Sequence, residues 1–162
     1  MTRPSKTDYY LNIAKEVAKR GTCLRRNYGA IIVKDDQIIS TGYTGAPRGT
    51  KNCCDIGKCP REEANIPSGE RYELCKSVHA EQNTIINAAR AGVSVLGGII
   101  YLYSENAKDG SINDAASCKM CRRVLINAGL VKIIAKTKKG YTEQEINSFK
   151  DEDLFDYKNQ KG

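Results

Sequence analysis

Short apolar runs alternate along the chain with stretches of helical period, and this alternation limits the fold more than any other feature of the sequence. Four runs have the length and composition of strands: GAIIV (29–33), QIISTGY (37–43), GGIIYLYS (97–104) and VKIIAK (131–136). The first two flank the segment KDD, which predicts a tight antiparallel turn. None of the runs approaches the ~20 residues of a membrane-spanning helix.

The stretches between these runs have the period of amphipathic helices. A first helix is predicted over residues 5–20, where Tyr10, Ile13, Ala14 and Val17 fall on one face. Further helices are predicted over residues 79–91, 118–128 and 142–149. The order α-β-β-loop-α-β-α-β-α favours an α/β fold, with a mixed sheet covered by helices on both faces.

Length and composition are those of one folded domain. The 162 residues, 40% of them hydrophobic and 28% charged, can bury a core without disulfides. We therefore expect a single domain over residues 1–162, with a tail that frays after about residue 150. The first residues lack the apolar segment of a signal peptide, and seven cysteines favour metal ligands or free thiols in a reducing compartment. A cytoplasmic protein without membrane contact is expected.

The charge pattern favours a small anionic partner. The net charge of +7 can be satisfied by a single phosphate as well as by nucleic acid. The lysines are dispersed, however, and the aromatic residues are not interleaved with basic ones as they are on a base-stacking surface. This pattern argues against a nucleic-acid partner.

The segment 44–76 differs from the rest of the chain. It contains three of the four prolines, four glycines and four cysteines. Because a structureless loop of this length is rare inside a compact domain, we expect specific interactions to hold it in place.

Two short motifs carry the residues suited to chemistry. The only histidine, His79, precedes Glu81 by two residues, and Cys118 and Cys121 form a Cys-x-x-Cys pair at the start of a predicted helix. Two thiolates and one imidazole suit zinc and leave one position open for water, which is typical of catalytic sites. Glu81 is placed to accept a proton from that water. A redox pair and a structural histidine are the alternatives, but the conjunction of the two motifs favours zinc.

The same motifs resemble those of a known family. VHAEQNTI and SCKMC resemble the H-x-E…P-C-x-x-C signature of zinc nucleotide deaminases. GAIIVKDDQIISTGYTGAPRGTKNC, TCLRR and IPSGERYELCKSVHAEQN resemble stretches of the deoxycytidylate (dCMP) deaminases. The resemblance covers roughly residues 8–136.

This resemblance implies a fold and an activity. The fold would be the cytidine deaminase-like three-layer α/β/α arrangement with a mixed, roughly five-stranded central sheet. His79, Cys118 and Cys121 would bind the catalytic zinc, and Glu81 would shuttle protons while a zinc-bound water attacks dCMP to give dUMP and ammonia. Relatives are commonly hexamers, so a homo-oligomer is expected. Many relatives respond to dCTP and dTTP, which makes these nucleotides candidate effectors; the sequence leaves open whether they regulate this chain.

The resemblance also places residues around the substrate. We expect the substrate-binding set to be Arg26, Thr44, Arg48, Ala80 and Ser104. Arg26 is favoured for the phosphate because it directly precedes the core strand. Three departures from the family pattern bear on specificity. Thr44 replaces an asparagine that contacts the sugar, Ser117 replaces the proline before the first motif cysteine, and the loop 105–117 is about ten residues longer.

Four further cysteines suggest a second metal site. Some relatives hold a structural zinc with ligands at positions that correspond to Cys23 and Cys53. The histidines that complete that site in relatives have no counterpart here, so Cys59 and Cys75 would complete a set of four thiolates. Small buried hydrophobic side chains are the alternative interpretation of these cysteines.

Two other functions remain compatible with the motifs. One is a deaminase of the same fold that acts on a modified cytosine nucleotide or on adenosine in RNA. The other is a zinc-stabilised nucleic-acid-binding module without catalysis. Glu81 argues against the second, since a binding module has no use for a carboxylate beside an open metal position.

Overall fold

The computed structural model of the protein describes residues 2–150. The predicted frayed tail after about residue 150 lies outside the described residues, and the single domain over residues 1–162 stays a prediction. No helix in the described part of the chain is long and apolar enough to cross a membrane.

One mixed sheet of five strands forms the centre of the described structure, in the order β2-β1-β3-β4-β5. The strands are β1 (Arg26–Lys34), β2 (Gln37–Tyr43), β3 (Ile99–Asn106), β4 (Lys132–Thr137) and β5 (Gly140–Glu145). The α-helices are α1 (Lys6–Ala18), α2 (Cys53–Ile56), α3 (Pro60–Glu63), α4 (Ala80–Arg90) and α5 (Lys119–Asn127). Short 3₁₀ helices cover Tyr72–Leu74 and Ile146–Lys150.

Strand pairing follows the predicted hairpin and one helical crossover. β1 pairs antiparallel with β2, and the turn between them uses Asp35 and Asp36 at positive φ, as a tight hairpin turn requires. β1 also pairs antiparallel with β3, with Ile31 opposite Tyr101. β3 and β4 are parallel and are joined through α5. This crossover brings the start of α5 to the same end of the sheet as the end of β3.

Helices cover both faces of the sheet, so the predicted three layers are confirmed. Alternation along β1 sends Ile31 and Val33 to one face and Ala30 and Ile32 to the other. The first face packs against α1, whose buried side chains are Tyr10, Leu11, Ala14 and Ala18. The second face packs against α4 and α5 through a separate cluster that includes Ala88, Leu102 and Leu125.

Two glycines allow helices to approach the sheet closely. A Cβ on Gly29 would lie 2.2 Å from the carbonyl oxygen of Ala14 in α1. A Cβ on Gly42 would lie 2.3 Å from the backbone nitrogen of Thr84 in α4. Both distances are too short for any side chain, so α1 and α4 can sit where they do only because these positions lack one.

The prediction of a helix over residues 142–149 is wrong. Residues 140–145 form β5, antiparallel to β4, and only Ile146–Lys150 is helical, as a 3₁₀ turn. The free edge of β4 offers a row of backbone hydrogen-bond partners, and pairing with it outweighs the helix propensity of Glu and Gln. Burial of Ile146 and Phe149 against the core then fixes the end of the strand.

The segment 44–76 is held by hydrogen bonds, as expected. Gly45 forms an isolated bridge with Val78. The Asn52 side chain accepts hydrogen bonds from the Thr22 hydroxyl at 3.0 Å and from the Ala46 backbone nitrogen at 3.2 Å. These contacts tie the segment back to the chain on both sides of it, so α2 and α3 are fixed relative to the sheet.

Candidate active site

The N-termini of α4 and α5 bring the two sequence motifs together. His79 is the residue before α4 and Cys118 the residue before α5, with Cys121 one turn further on. The Nδ1 atom of His79 lies 3.5 Å from the Sγ of Cys118 and 3.4 Å from the Sγ of Cys121. The side chains thus converge although 39 to 42 residues separate the motifs.

This geometry fits zinc. Zinc–sulfur and zinc–nitrogen bonds in a tetrahedral site place the ligand atoms about 3.5 Å apart, which matches the observed distances. Within residues 2–150, these three are the only group of His, Cys, Asp or Glu side chains whose ligand atoms all lie within 4.8 Å of one another. Three protein ligands leave a fourth tetrahedral position for water or substrate.

The thiols of the site are electrostatically coupled. A hydrogen bond with Cys121, together with one from His79, lowers the pKa of Cys118 to about 4 although burial opposes the shift. The pKa of Cys121 is raised because this thiol donates to Cys118 and is buried. For His79, burial lowers the pKa, but the hydrogen bond with Cys118 and the charge of Glu81 outweigh it and the net shift is upward. These hydrogen bonds thus favour the thiolate form of Cys118.

Glu81 lies in the first turn of α4 beside this group. Its side chain is 3% exposed. Burial raises the pKa of the Glu81 carboxyl, with the opposing charge of His79 second in size. A raised pKa makes the carboxylate a better proton acceptor than an exposed one, which suits a general acid–base.

A cavity of about 130 Å³ opens onto the site. Of the residues expected to bind substrate, Arg26, Thr44 and Ala80 line this cavity together with His79 and Glu81. The two others lie elsewhere. Ser104 is fully buried within β3, with no hydrogen-bond partner for its Oγ in the described structure. Arg48 lines a different cavity.

Thr44 is bound into the backbone around the cavity. Its Oγ1 accepts a hydrogen bond from the Tyr28 backbone nitrogen at 3.2 Å, and its own backbone nitrogen donates to the Tyr28 carbonyl at 3.0 Å. The side chain is 7% exposed. The hydroxyl therefore keeps one donor for a ligand while its acceptor supports the start of β1.

Arg61 and Tyr72 also line the cavity, and the sequence motifs did not identify them. The Tyr72 ring meets the His79 ring edge-on, with 4.8 Å between the centroids. The Arg61 guanidinium also lies over the Tyr72 ring, 4.9 Å from its centroid. No periodicity marks either residue. The indication in the sequence was an arginine inside the Pro/Gly-rich segment 44–76, which was expected to be held in place by specific interactions.

Three of the four further cysteines, Cys23, Cys59 and Cys75, lie near the fourth, Cys53. Burial raises the pKa of the Cys53 thiol, and the nearby thiols of Cys23, Cys59 and Cys75 raise it further. No three of these four sulfur atoms lie within 4.8 Å of one another, whereas thiolates on one zinc are about 3.8 Å apart. The cysteines are thus neighbours, but they do not have the geometry of a zinc site in this structure.

A second, larger cavity of about 470 Å³ lies along the segment that follows β2. Its charged and amide side chains are Arg20, Arg48, Arg90, Asn52, Asn83 and Asn87. The Arg48 guanidinium donates a hydrogen bond to the Asn87 side chain, which in turn donates to the Thr41 carbonyl. The cavity is strongly basic and has no residue of the zinc site in its lining.

Comparisons with known proteins agree with this site. Residues 4–137 match the family described as the cytidine and deoxycytidylate deaminase zinc-binding region. A deoxycytidylate deaminase of Schizosaccharomyces pombe is 32% identical over 135 residues, which are 83% of this chain and 38% of the relative. One from Mycobacterium phage D29 is 30% identical over 139 residues, covering 83% of this chain and 96% of the relative. The chain thus spans well under half of the yeast protein.

Solved structures share the fold. The dCMP deaminase of the cyanophage S-TIM5, in complex with dCMP and dUMP, has a TM-score of 0.60 at 24% identity and covers 82% of each chain. A cytidine deaminase from Burkholderia pseudomallei has a TM-score of 0.60 at 16% identity, covering 92% of this chain and 96% of that one. The cytidine deaminase-like fold implied by the sequence is confirmed.

Proposed function

Because the chain belongs to the cytidine and deoxycytidylate deaminase family, we propose that it hydrolyses dCMP to dUMP and ammonia. The observation that carries the proposal is the buried Glu81 carboxyl beside a three-ligand metal site with a free fourth position. A purely structural zinc site is closed by a fourth ligand and needs no such carboxyl.

His79, Cys118 and Cys121 would hold the zinc. When bound, zinc supplies a Lewis acid that makes water a nucleophile at neutral pH. Glu81 takes the proton of the attacking water as its oxygen bonds to C4 of the cytosine. The same carboxyl passes that proton to the ring nitrogen N3, then takes the proton of the new C4 hydroxyl and passes it to the amino group. The C4–N bond breaks and ammonia leaves, which gives uracil.

The other residues of the cavity position the nucleotide. Arg26 is exposed at the first position of β1, and no ion pair engages it within residues 2–150, so it is free to approach a phosphate. Thr44 retains a hydroxyl donor for the sugar. The backbone at Ala80, in the first turn of α4, would face the reacting edge of the base.

A substrate screen tests the proposal. Ammonia release is measured from dCMP, CMP, cytidine, a 5-substituted dCMP and a tRNA, each with added zinc. We expect turnover of dCMP to exceed that of the others. Preferred release from the 5-substituted nucleotide or the tRNA would support the same-fold alternative, and release from none of them would favour the non-catalytic binding module.

The second cavity supports a proposal about effectors. Three arginines and three asparagines around about 470 Å³ suit the phosphates and base of a nucleoside triphosphate. We propose that dCTP or dTTP binds there, with Arg48 as a phosphate ligand. Calorimetry with each nucleotide on the parent and on Arg48→Gln tests this: binding that the variant retains unchanged would remove Arg48 from the site.

Exposed apolar side chains support a homo-oligomer, with a hexamer as the expected form. Those of Ile86, Val93, Leu96 and Val131 are 38% to 62% exposed, and association with further copies of the chain would cover such apolar surface. Light scattering after gel filtration gives the number of subunits.

All seven cysteines are free thiols in the structure, which supports the expected cytoplasmic location.

A further inference from the structure

Arg61 is a buried arginine without a counter-ion. Its side chain is 6% exposed, and no carboxylate of the described residues forms an ion pair with it. The neighbouring Glu62 and Glu63 pair instead with Arg25 and Lys58, at 3.3 Å and 3.2 Å. Because burying a charge is costly unless an opposite charge accompanies it, the position calls for an anion from outside the chain.

The hydrogen bonds of Arg61 use one side of the guanidinium only. Nη2 donates to the carbonyl oxygens of Pro67 and Glu70, at 3.0 Å and 2.5 Å. Nε is buried without any partner. Nη1 forms no hydrogen bond with the described residues, and it is not completely buried. Three of the five N–H donors are therefore unused.

Arg61 is part of the wall of the active-site cavity. It lines the same cavity as His79, Glu81 and Arg26. Its guanidinium carbon lies 4.9 Å from the centroid of the Tyr72 ring, and that ring lies 4.8 Å from the His79 ring. The arginine and the candidate metal ligand thus contact the same aromatic ring.

We propose that Arg61 determines specificity by binding the phosphate of the nucleotide substrate, which supplies the missing counter-ion. A phosphate accepts two parallel hydrogen bonds from a guanidinium, so Arg61 and Arg26 would together bind the phosphate. A nucleoside would leave the buried charge unpaired, and sites of this kind discriminate strongly against the analogue that lacks the group. This inference rests on the proposed deaminase function.

The test compares nucleotide with nucleoside. In Arg61→Gln, we expect kcat/KM for dCMP to fall about 10- to 100-fold, the usual range for a hydrogen bond to a charged group, while kcat/KM for deoxycytidine stays within about threefold. Arg61→Lys keeps the charge but not the planar guanidinium, so its kcat/KM for dCMP should lie between those of the parent and of Arg61→Gln. Arg71→Gln, an exposed arginine of the same segment that is paired with Glu73, is the matched control and should leave both substrates unchanged.

Direct binding separates this inference from the function. Calorimetry with dUMP and with deoxyuridine measures the phosphate contribution without turnover, and we expect Arg61→Gln to lose affinity for dUMP alone. Equal losses of affinity for dUMP and deoxyuridine would give Arg61 a structural role in the cavity wall and overturn the proposal. Unchanged affinity for dUMP would overturn it as well. A parent protein that binds dUMP through Arg61 yet releases no ammonia would contradict the deaminase function and leave Arg61 as the phosphate residue.

Discussion

Glu81 is the residue on which the proposed chemistry depends. We expect Glu81→Gln to lower kcat for dCMP by at least about 10²- to 10⁴-fold, since the amide cannot accept the proton of the attacking water. Zinc content should not change, because Glu81 is not a ligand. Glu16→Gln, on the exposed side of α1, is the control. The measurements are steady-state kinetics and metal analysis, and substantial activity in Glu81→Gln would disprove the mechanism.

Thr44 stands where the resemblance expects an asparagine. A longer amide side chain can keep the hydrogen bond from the Tyr28 nitrogen and still reach the sugar. Thr44→Asn should therefore tighten dCMP binding by roughly three- to tenfold, the usual effect of one hydrogen bond. KM for dCMP, with and without dCTP, is the measurement. Thr44→Val removes the acceptor for Tyr28 and should lower stability without improving binding.

If Thr44 is instead matched to a different substrate, the result is reversed. Thr44→Asn would then lose activity on that substrate and gain little on dCMP. No change in any kinetic parameter would show that Thr44 supports the backbone only.

At the scale of elements, the approach of α1 to β1 depends on the absence of a side chain at Gly29. Gly29→Ala would press a methyl group against the backbone of Ala14 and Ala18, at 2.2 Å and 2.3 Å. Backbone atoms of a packed helix cannot yield cheaply, so we expect a loss of about 3 kcal/mol or more in the free energy of unfolding. Urea unfolding measures it.

Gly92→Ala is the matched control for this element. Gly92 has a φ of +69° and no atom within 4 Å of an added Cβ, so the substitution costs only backbone strain, about 1–2 kcal/mol. If Gly29→Ala costs no more than Gly92→Ala, α1 does not rest on the sheet as described.

At the scale of the whole molecule, the number of metal ions per chain is the property to measure. If zinc draws Cys23, Cys53, Cys59 and Cys75 together, metal analysis should give about two zinc ions per chain. Cys59→Ser should then lose one zinc and lower the melting temperature, because the site would anchor the segment 44–76. Cys54→Ser, in an exposed neighbour outside the set, should lose none.

A single zinc per chain would instead assign the four cysteines to packing. Without metal, no three of the four sulfur atoms lie within 4.8 Å of one another. A second zinc would therefore have to draw these atoms together as it binds. Chelation by a strong ligand should abolish dCMP turnover in both cases, because the site at His79 is lost.

The sequence by itself determined most of the elements and the candidate residues of the site. Local pattern was sufficient to identify the candidate residues, because each motif spans about one helical turn. One motif contains His79 and Glu81, and the other contains Cys118 and Cys121. Four of the five strands and the helices α1, α4 and α5 follow from periods of two and 3.6 residues, which are also local. The hairpin at Asp35 was readable for the same reason.

Only the tertiary structure decided which distant residues meet. Residues 142–145 became a strand because the edge of β4 was free, and Arg61 and Tyr72 became part of the cavity because the segment 44–76 folds onto α4. Arg48 lies in a second cavity for the same reason, and the four cysteines are neighbours without zinc geometry. These outcomes depend on pairing and packing between residues far apart in the chain, where the contacts that decide them leave no periodic trace in the sequence.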